Sequence, residues 1–215
     1  MVSSTKIALG VIGFTGVSGA TYFGIREFLK EDLTPHLVRS KLGKGVLNTK
    51  GDDSLWSSRD TELNNHSDPV DPDLKSIKTT SSASGERKNQ LIKWCEQKYK
   101  EDSRTLRNGV FEEVQKFCTR KISEQIQGRT EITGEVSTSG TKWNASWSSL
   151  KGDSLNENTL FGDFKIARTT HKAKGSGTEG ETALKAACEK YKKFPYLNEN
   201  DMLFKNVSSY CYSDS

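Results

Sequence analysis

The sequence predicts a mainly α-helical protein built from two tandem, disulfide-stapled helical-hairpin repeats behind an N-terminal hydrophobic segment. Three observations lead there. The only four cysteines fall into two pairs, Cys95 with Cys118 and Cys188 with Cys211, each spanning 23 positions. The residues around them repeat at an offset of 93: Leu91-Ile92-Lys93-Trp94-Cys95-Glu96 against Leu184-Lys185-Ala186-Ala187-Cys188-Glu189, and Phe111, Val114 and Phe117 against Phe204, Val207 and Tyr210. Around each cysteine, apolar residues recur at three and four, the period of an amphipathic helix.

Residues 1–30 form the first element. Nineteen positions from Ile7 to Ile25 carry no charge, and as a helix they would rise about 28 Å, close to a bilayer's hydrocarbon thickness. Ile7, Leu9, Val11, Ile12, Phe14, Val17, Phe23 and Ile25 are the candidate membrane residues, diluted by Gly10, Gly13, Gly16, Gly19 and Gly24. A retained anchor, a secretory signal cleaved near Ser18-Gly19-Ala20, and a buried glycine-rich helix all fit. Arg26, Lys30, Arg39, Lys41 and Lys44 follow the span against Lys6 alone before it, which by the positive-inside rule would hold the body in the cytoplasm. Paired cysteines argue for an oxidising exterior. The second argument is preferred, because a short signal-anchor with a basic start translocates the chain beyond it. The expectation is a single-pass cell-membrane protein with an extracellular body, or alternatively a secreted one.

Residues 31–126 read as the first repeat unit. Thr34 and Pro35 resemble an N-cap and first helical residue, followed by Leu37, Val38 and Leu42 and ended by Gly43 and Gly45. Residues 48–85 are polar and interrupted by Pro69 and Pro72, so mostly irregular chain is expected, with a short helix near Trp56. A helix opens at Ser84 or Gly85 with Leu91, Trp94, Cys95 and Tyr99 on one side, and Glu101-Asp102-Ser103 breaks it. A second runs through Leu106, Val110, Phe111, Val114, Phe117, Cys118, Ile122 and Ile126. For a cystine to join these helices, the connection must extend to about Leu106. Residues 127–147 are rich in Thr, Ser and Gly and read as a linker, with an exposed hairpin as the other possibility. Residues 148–215 hold the helical part of the second unit, with helices from about Glu181 to Lys193 and Glu199 to Tyr210. Ser146-Trp147-Ser148-Ser149 pairs with Leu55-Trp56-Ser57-Ser58 in this reading, and Asp163-Phe164-Lys165-Ile166 with Asp73-Leu74-Lys75-Ser76.

Composition explains the staples. Apolar residues make up 33% of the 215, well short of what is usual for globular domains. In the chain-entropy view, closing a loop of this size contributes about 3–3.5 kcal/mol. Buried reduced cysteines are the competing reading. No C-x-x-C pair or Cys/His spacing points to zinc, and His36, His66 and His171 are scattered through polar surroundings. The net charge of +4 comes from interspersed charges, without the basic patch or aromatic interleaving that nucleic acid requires.

Gly175-Ser176-Gly177-Thr178-Glu179-Gly180 has the spacing of a dinucleotide loop. The residues before it, Thr170-His171-Lys172-Ala173-Lys174, are too polar for the buried strand that a pyrophosphate site needs. A nucleotide-binding enzyme using this loop is therefore a remote alternative, and no cofactor is expected. Sequons occur at Asn65, Asn144 and Asn206, and Glu112-Glu113 reads as an ordinary pair of helix-surface carboxylates.

Val38-Arg39-Ser40-Lys41-Leu42, Leu91-Ile92-Lys93-Trp94-Cys95 and Phe117-Cys118-Thr119, behind a glycine-rich apolar start, resemble the paralogous families of about 200 residues in haemotrophic mycoplasmas, with their repeated "KWC … WCT" helical pairs. Phe117 and Ala187 stand where that pattern has tryptophan, and Tyr210-Cys211-Tyr212 also departs from it. The resemblance implies surface display, paralogue variation and contact with a host surface molecule or antibody. It supplies no catalytic residue. The function expected is that of a non-enzymatic, membrane-anchored surface protein in contact with the lipid bilayer, with a secreted soluble binding module as the alternative.

Overall fold

Helices form where the apolar period predicts them, and also where the sequence reads as irregular chain. The computed structural model describes residues 36–81, 85–136, 141–152, 154–173 and 178–214; the apolar segment Ile7–Ile25, with Thr34 and Pro35, lies outside them. The fold is mainly helical with two disulfides. In order come α1 (Val38–Leu42), α2 (Asp53–Asn65), α3 (Pro72–Thr79), α4 (Glu86–Lys98), α5 (Val110–Cys118), β1 (Arg129–Glu131), α6 (Lys142–Leu150), α7 (Gly162–His171), α8 (Glu179–Tyr191), α9 (Met202–Cys211) and β2 (Tyr212–Asp214). Single 3-10 turns occupy Gly43–Gly45, Ile122–Glu124 and Glu157–Thr159.

Residues 48–85 are more helical than expected: the helix expected near Trp56 is α2, thirteen residues long, and α3 is unexpected. The α2 helix buries only Trp56, Arg59 and Leu63, and one of those three is charged, so its stripe does not register as apolar. In α3, Pro72 opens the helix rather than breaking it. Asp71 is the N-cap, accepting from the Asp73 and Leu74 N–H groups at 3.0 and 3.2 Å. The expected helix from Leu106 to Ile126 shrinks to α5, with Leu106 in the connection and Ile122 in a 3-10 turn. Residues 127–147 likewise hold β1 and much of α6, with Trp143 and Trp147 buried. A stretch rich in Ser and Thr reads as linker only when its two tryptophans are discounted.

Backbone hydrogen bonds define the repeat more completely than side chains do. In the first copy, Val38 N donates to Glu101 O and Arg39 N to Tyr99 O, with a bridge between Leu37 and Asp102. In the second, Ile122 N donates to Phe194 O and Ser123 N to Lys192 O, with a bridge between Lys121 and Pro195. Further on, Leu47 N donates to Cys118 O at 3.0 Å and Ile132 N to Cys211 O at 2.9 Å. Val46 pairs antiparallel with Thr119 as Glu131 in β1 pairs with Tyr212 in β2. Each copy therefore has an anchor clamped by the α4–α5 or α8–α9 connection, an extended entry segment, four helices, and an exit paired to its own entry, through a single bridge in the first copy and through β1 and β2 in the second.

The first helix of each copy aligns one turn away from the tryptophan match made on sequence. Trp56 Nε1 donates to Asn48 O and Trp143 Nε1 to Gly134 O, in each case just beyond the entry segment. Leu63 and Leu150 are both fully buried. Trp143, not Trp147, is thus the counterpart of Trp56. The offset of 87 in this helix sets Asp60 against Trp147, and the offset of 93 between α4 and α8 sets Arg87 against Gly180. In the first copy Arg87 Nε holds Asp60 at 2.7 Å. In the second, Trp147 packs where a Cβ on Gly180 would stand. An ion pair in one copy has become ring-on-glycine packing in the other.

A single residue separates the exit of the first copy from the anchor of the second. Thr119 pairs with Val46, Lys121 pairs with Pro195, and Arg120 lies between them. Its N–H donates to Gly45 O, its carbonyl accepts from Tyr196 N at 2.8 Å, and its guanidinium reaches Val46 O and Asp52. A Cβ on Gly45 would overlap the Tyr196 carbonyl, so the two backbones meet too closely for any other residue. Copies joined in this way cannot unfold separately without breaking main-chain bonds. Urea denaturation followed by far-UV circular dichroism and by tryptophan fluorescence is expected to give coincident single transitions. Two separated midpoints would mean that the copies are independent domains.

Candidate functional site

All four cysteines are buried and oxidised: Cys95–Cys118 joins α4 to α5 and Cys188–Cys211 joins α8 to α9, each with Cα atoms 5.5 Å apart. No thiol among the described residues is free, so these sulfurs serve as staples rather than nucleophiles or metal ligands. No cluster of three His, Cys, Asp or Glu stands in metal-holding geometry among the described residues.

Glu113 is a correction to the sequence reading, which placed it on a helix surface. It is buried on α5, and its two oxygens accept from Val70 N at 2.5 Å and Asp71 N at 2.9 Å. Burial pushes its carboxyl above the ordinary range, opposed by those two N–H donors. Beside it, the Asp71 carboxylate accepts from Trp94 Nε1 at 3.2 Å and meets Lys98 Nζ at 3.1 Å. Burial would raise the Asp71 pKa, but its hydrogen bonds outweigh that and hold it below the usual value. A raised carboxyl beside a lowered one suggests acid–base chemistry. The second copy argues for structure instead. At the position matching Glu113, Asn206 Oδ1 accepts from Phe161 N at 2.7 Å and its Nδ2 donates to Thr159 O. Phe161 is the N-cap of α7 as Asp71 is of α3. A neutral amide accepts from the equivalent N-cap N–H and donates to a nearby carbonyl instead of accepting a second time, so the shared task is to satisfy the entry of the copy's second helix. This burial also takes Asn206 out of reach as a glycosylation sequon, whereas Asn65 and Asn144 are exposed.

Two buried arginines act similarly. Arg59 donates to Thr119 O at 2.8 Å and pairs with Glu124 at 2.6 Å. Arg168 holds the end of α6 through Leu150 O and Gly152 O. The histidines stay apart. His36 uses its carbonyl to accept from Ser103, His171 lies 3.5 Å from Glu179, and His66 packs edge-on against Phe117. Burial, reinforced by Lys116, lowers the His66 pKa. Of the Gly175–Gly180 loop, Gly175 to Gly177 lie outside the described residues, and Gly180 sits within α8.

One concavity combines apolar walls with a charged rim. It encloses about 170 Å³ beside the second disulfide, where Ile132, Trp143, Cys188 and Cys211 provide buried apolar surface. Lys185, Cys188, Glu189 and Lys192 share one side of α8 and its C-cap, spaced at three and four. Lys185 Nζ donates to Glu135 at 3.2 Å and Lys192 Nζ to Glu131 at 2.5 Å. Such a site can receive a flat apolar group. No motif in the sequence signals it, because its walls come from four separate segments.

Comparisons with protein-family models, with curated proteins and with solved structures returned no match.

The fastening role of Glu113 has a measurable signature. Glu113→Ala leaves the buried Asp71 N–H and the part-buried Val70 N–H without an acceptor and is expected to cost about 2–4 kcal/mol. Glu113→Gln keeps one acceptor oxygen but turns an amide N–H toward the second donor, and is expected to cost less than the alanine variant, about 1–2 kcal/mol. Because the folded carboxyl titrates above its unfolded value, its favourable contribution is full below the unfolded pKa and is lost as pH rises through the folded pKa. Urea denaturation from about pH 3 to about pH 7 should therefore show the glutamine variant gaining on the wild type. A glutamine variant that instead loses ground to the wild type as pH rises would contradict this assignment.

Proposed function

We propose that this is a non-enzymatic surface protein: a rigid, disulfide-stapled helical body held at the cell membrane by its N-terminal segment and displayed outside it. What supports this reading is the use of one cystine to join the same two helices in each copy, a device suited to an oxidising compartment. Among the described residues no helix is long and apolar enough to cross a membrane; in this reading Ile7–Ile25 is the anchor. The buried charged groups Arg59, Glu113 and Arg168 are engaged with main-chain atoms rather than aimed at a common point.

The comparison between copies also favours a role in which sequence varies over a constant frame. Asp60–Arg87 is exchanged for Trp147–Gly180, and Glu113 for Asn206, while the same backbone pairs persist. A scaffold that accepts such exchanges suits a family of paralogues presenting different faces to a host surface molecule or an antibody. This agrees with the resemblance to the mycoplasma families.

Maleimide labelling of intact cells, with mass spectrometry at Cys95, Cys118, Cys188 and Cys211, tests the display. Labelling is expected only after reduction with an impermeant reagent. Thiols that react after lysis without reductant would overturn it and place the body in the cytoplasm.

A further inference from the structure

The cavity beside Cys188–Cys211 has a filled counterpart in the first copy. There, Tyr99 is buried, and its hydroxyl donates to Cys118 O and contacts Leu47 O at 3.4 Å. Ile92, on the same helix, packs partly buried against the core cluster that includes Tyr99. At the offset of 93 that relates α4 to α8, Tyr99 corresponds to Lys192 and Ile92 to Lys185. Both lysines turn to the rim, to Glu131 and Glu135. Other walls are retained: Leu47 becomes Ile132, Trp56 becomes Trp143, and each cysteine has its partner. Cys118 O accepts twice, from Leu47 N and from Tyr99, whereas its counterpart Cys211 O accepts from Ile132 N.

We infer that this cavity is a binding site for a phenol ring, supplied from outside the chain in the place that Tyr99 fills in the first copy. The ring lies against the disulfide and Trp143, and its hydroxyl donates to the Cys211 carbonyl. Lys185 and Lys192, each paired with a glutamate, keep the rim charged and the entrance open. The glutamates Glu131, Glu135 and Glu189 outnumber the two lysines there, which favours a neutral phenol over an anionic one. Two sources share this chemistry: a tyrosine side chain presented by a partner polypeptide, and a free phenolic compound.

The test uses the full, disulfide-intact chain in nitrogen-edited NMR titrations, reading the Trp143 indole N–H and the Ile132 amide. p-Cresol is expected to shift both signals and to bind about three- to tenfold more tightly than toluene, which lacks the hydroxyl. Lys192→Tyr is expected to fill the site from within, abolishing the shifts while raising the melting temperature. Lys192→Ala keeps the space open and should still bind p-cresol. N-acetyltyrosinamide binding as well as p-cresol identifies a tyrosine side chain as the occupant; p-cresol binding alone identifies a free phenol. Equal affinity for toluene, shifts that persist in Lys192→Tyr, or no shift with any phenol would overturn the proposal.

Discussion

Everything in this fold depends on how each copy closes on itself at its second cysteine. Cys118 and Cys211 carry two constraints at once. Their side chains tie α5 to α4 and α9 to α8, and their carbonyls accept from the entry segment, at Leu47 and Ile132. A covalent bond inside the helical pair thus also positions the main chain at the start of the copy. With only 33% apolar residues, burial alone leaves little margin. A staple that restricts the unfolded chain, and a main-chain pairing that closes around it, offset that shortage. The remaining reinforcement comes from polar groups used as main-chain acceptors and donors, notably Glu113, Asn206, Arg59 and Arg168.

The two copies meet with almost no intervening chain, and this shapes how such a body can act. Arg120 binds Gly45, Val46, Asp52 and Tyr196 at once, so the exit of the first copy and the anchor of the second form one joint. Motion between the copies is consequently a poor candidate for a mechanism. Differences between their surfaces are a better one. The copies share a frame and differ in what fills it, and the clearest difference is the tyrosine that plugs the first copy and is missing from the second.

The cysteine-bearing helices are legible in the sequence because α4 and α8, Glu86–Lys98 and Glu179–Tyr191, keep a constant offset of 93. Nothing shifts between them and the paired cysteines, so a single comparison exposes both. The front of the repeat is hidden for the opposite reason. Its offset is 84 at Leu37 and Lys121, 87 at Leu63 and Leu150, and 90 at Leu74 and Phe164; the second copy lengthens at successive connections. Matching Trp56 to Trp147 instead of Trp143 comes from aligning one serine-rich phrase across those changes. The length of α2 is hard to read because its buried stripe includes Arg59, and α3 is hidden because proline serves both to end helices and to begin them. Glu113 reads as a surface residue because adjacency to Glu112 suggests a solvated pair, while burial depends on which side of α5 faces Val70. The cavity is not legible at all: Lys192 matters only once it is known to stand where Tyr99 stands.

Amide hydrogen exchange on the oxidised and the selectively reduced protein tests the central claim most directly. If closure at the second cysteine organises each copy, the amides of Leu47, Ile132 and Ile122 will be protected in the oxidised protein to the level of α4 and α8. Reduction will then release Leu47 and Ile132 together with the helices their cysteines join. Entry-segment amides that exchange freely in the oxidised protein, or that keep full protection after both bonds are reduced, would contradict the account.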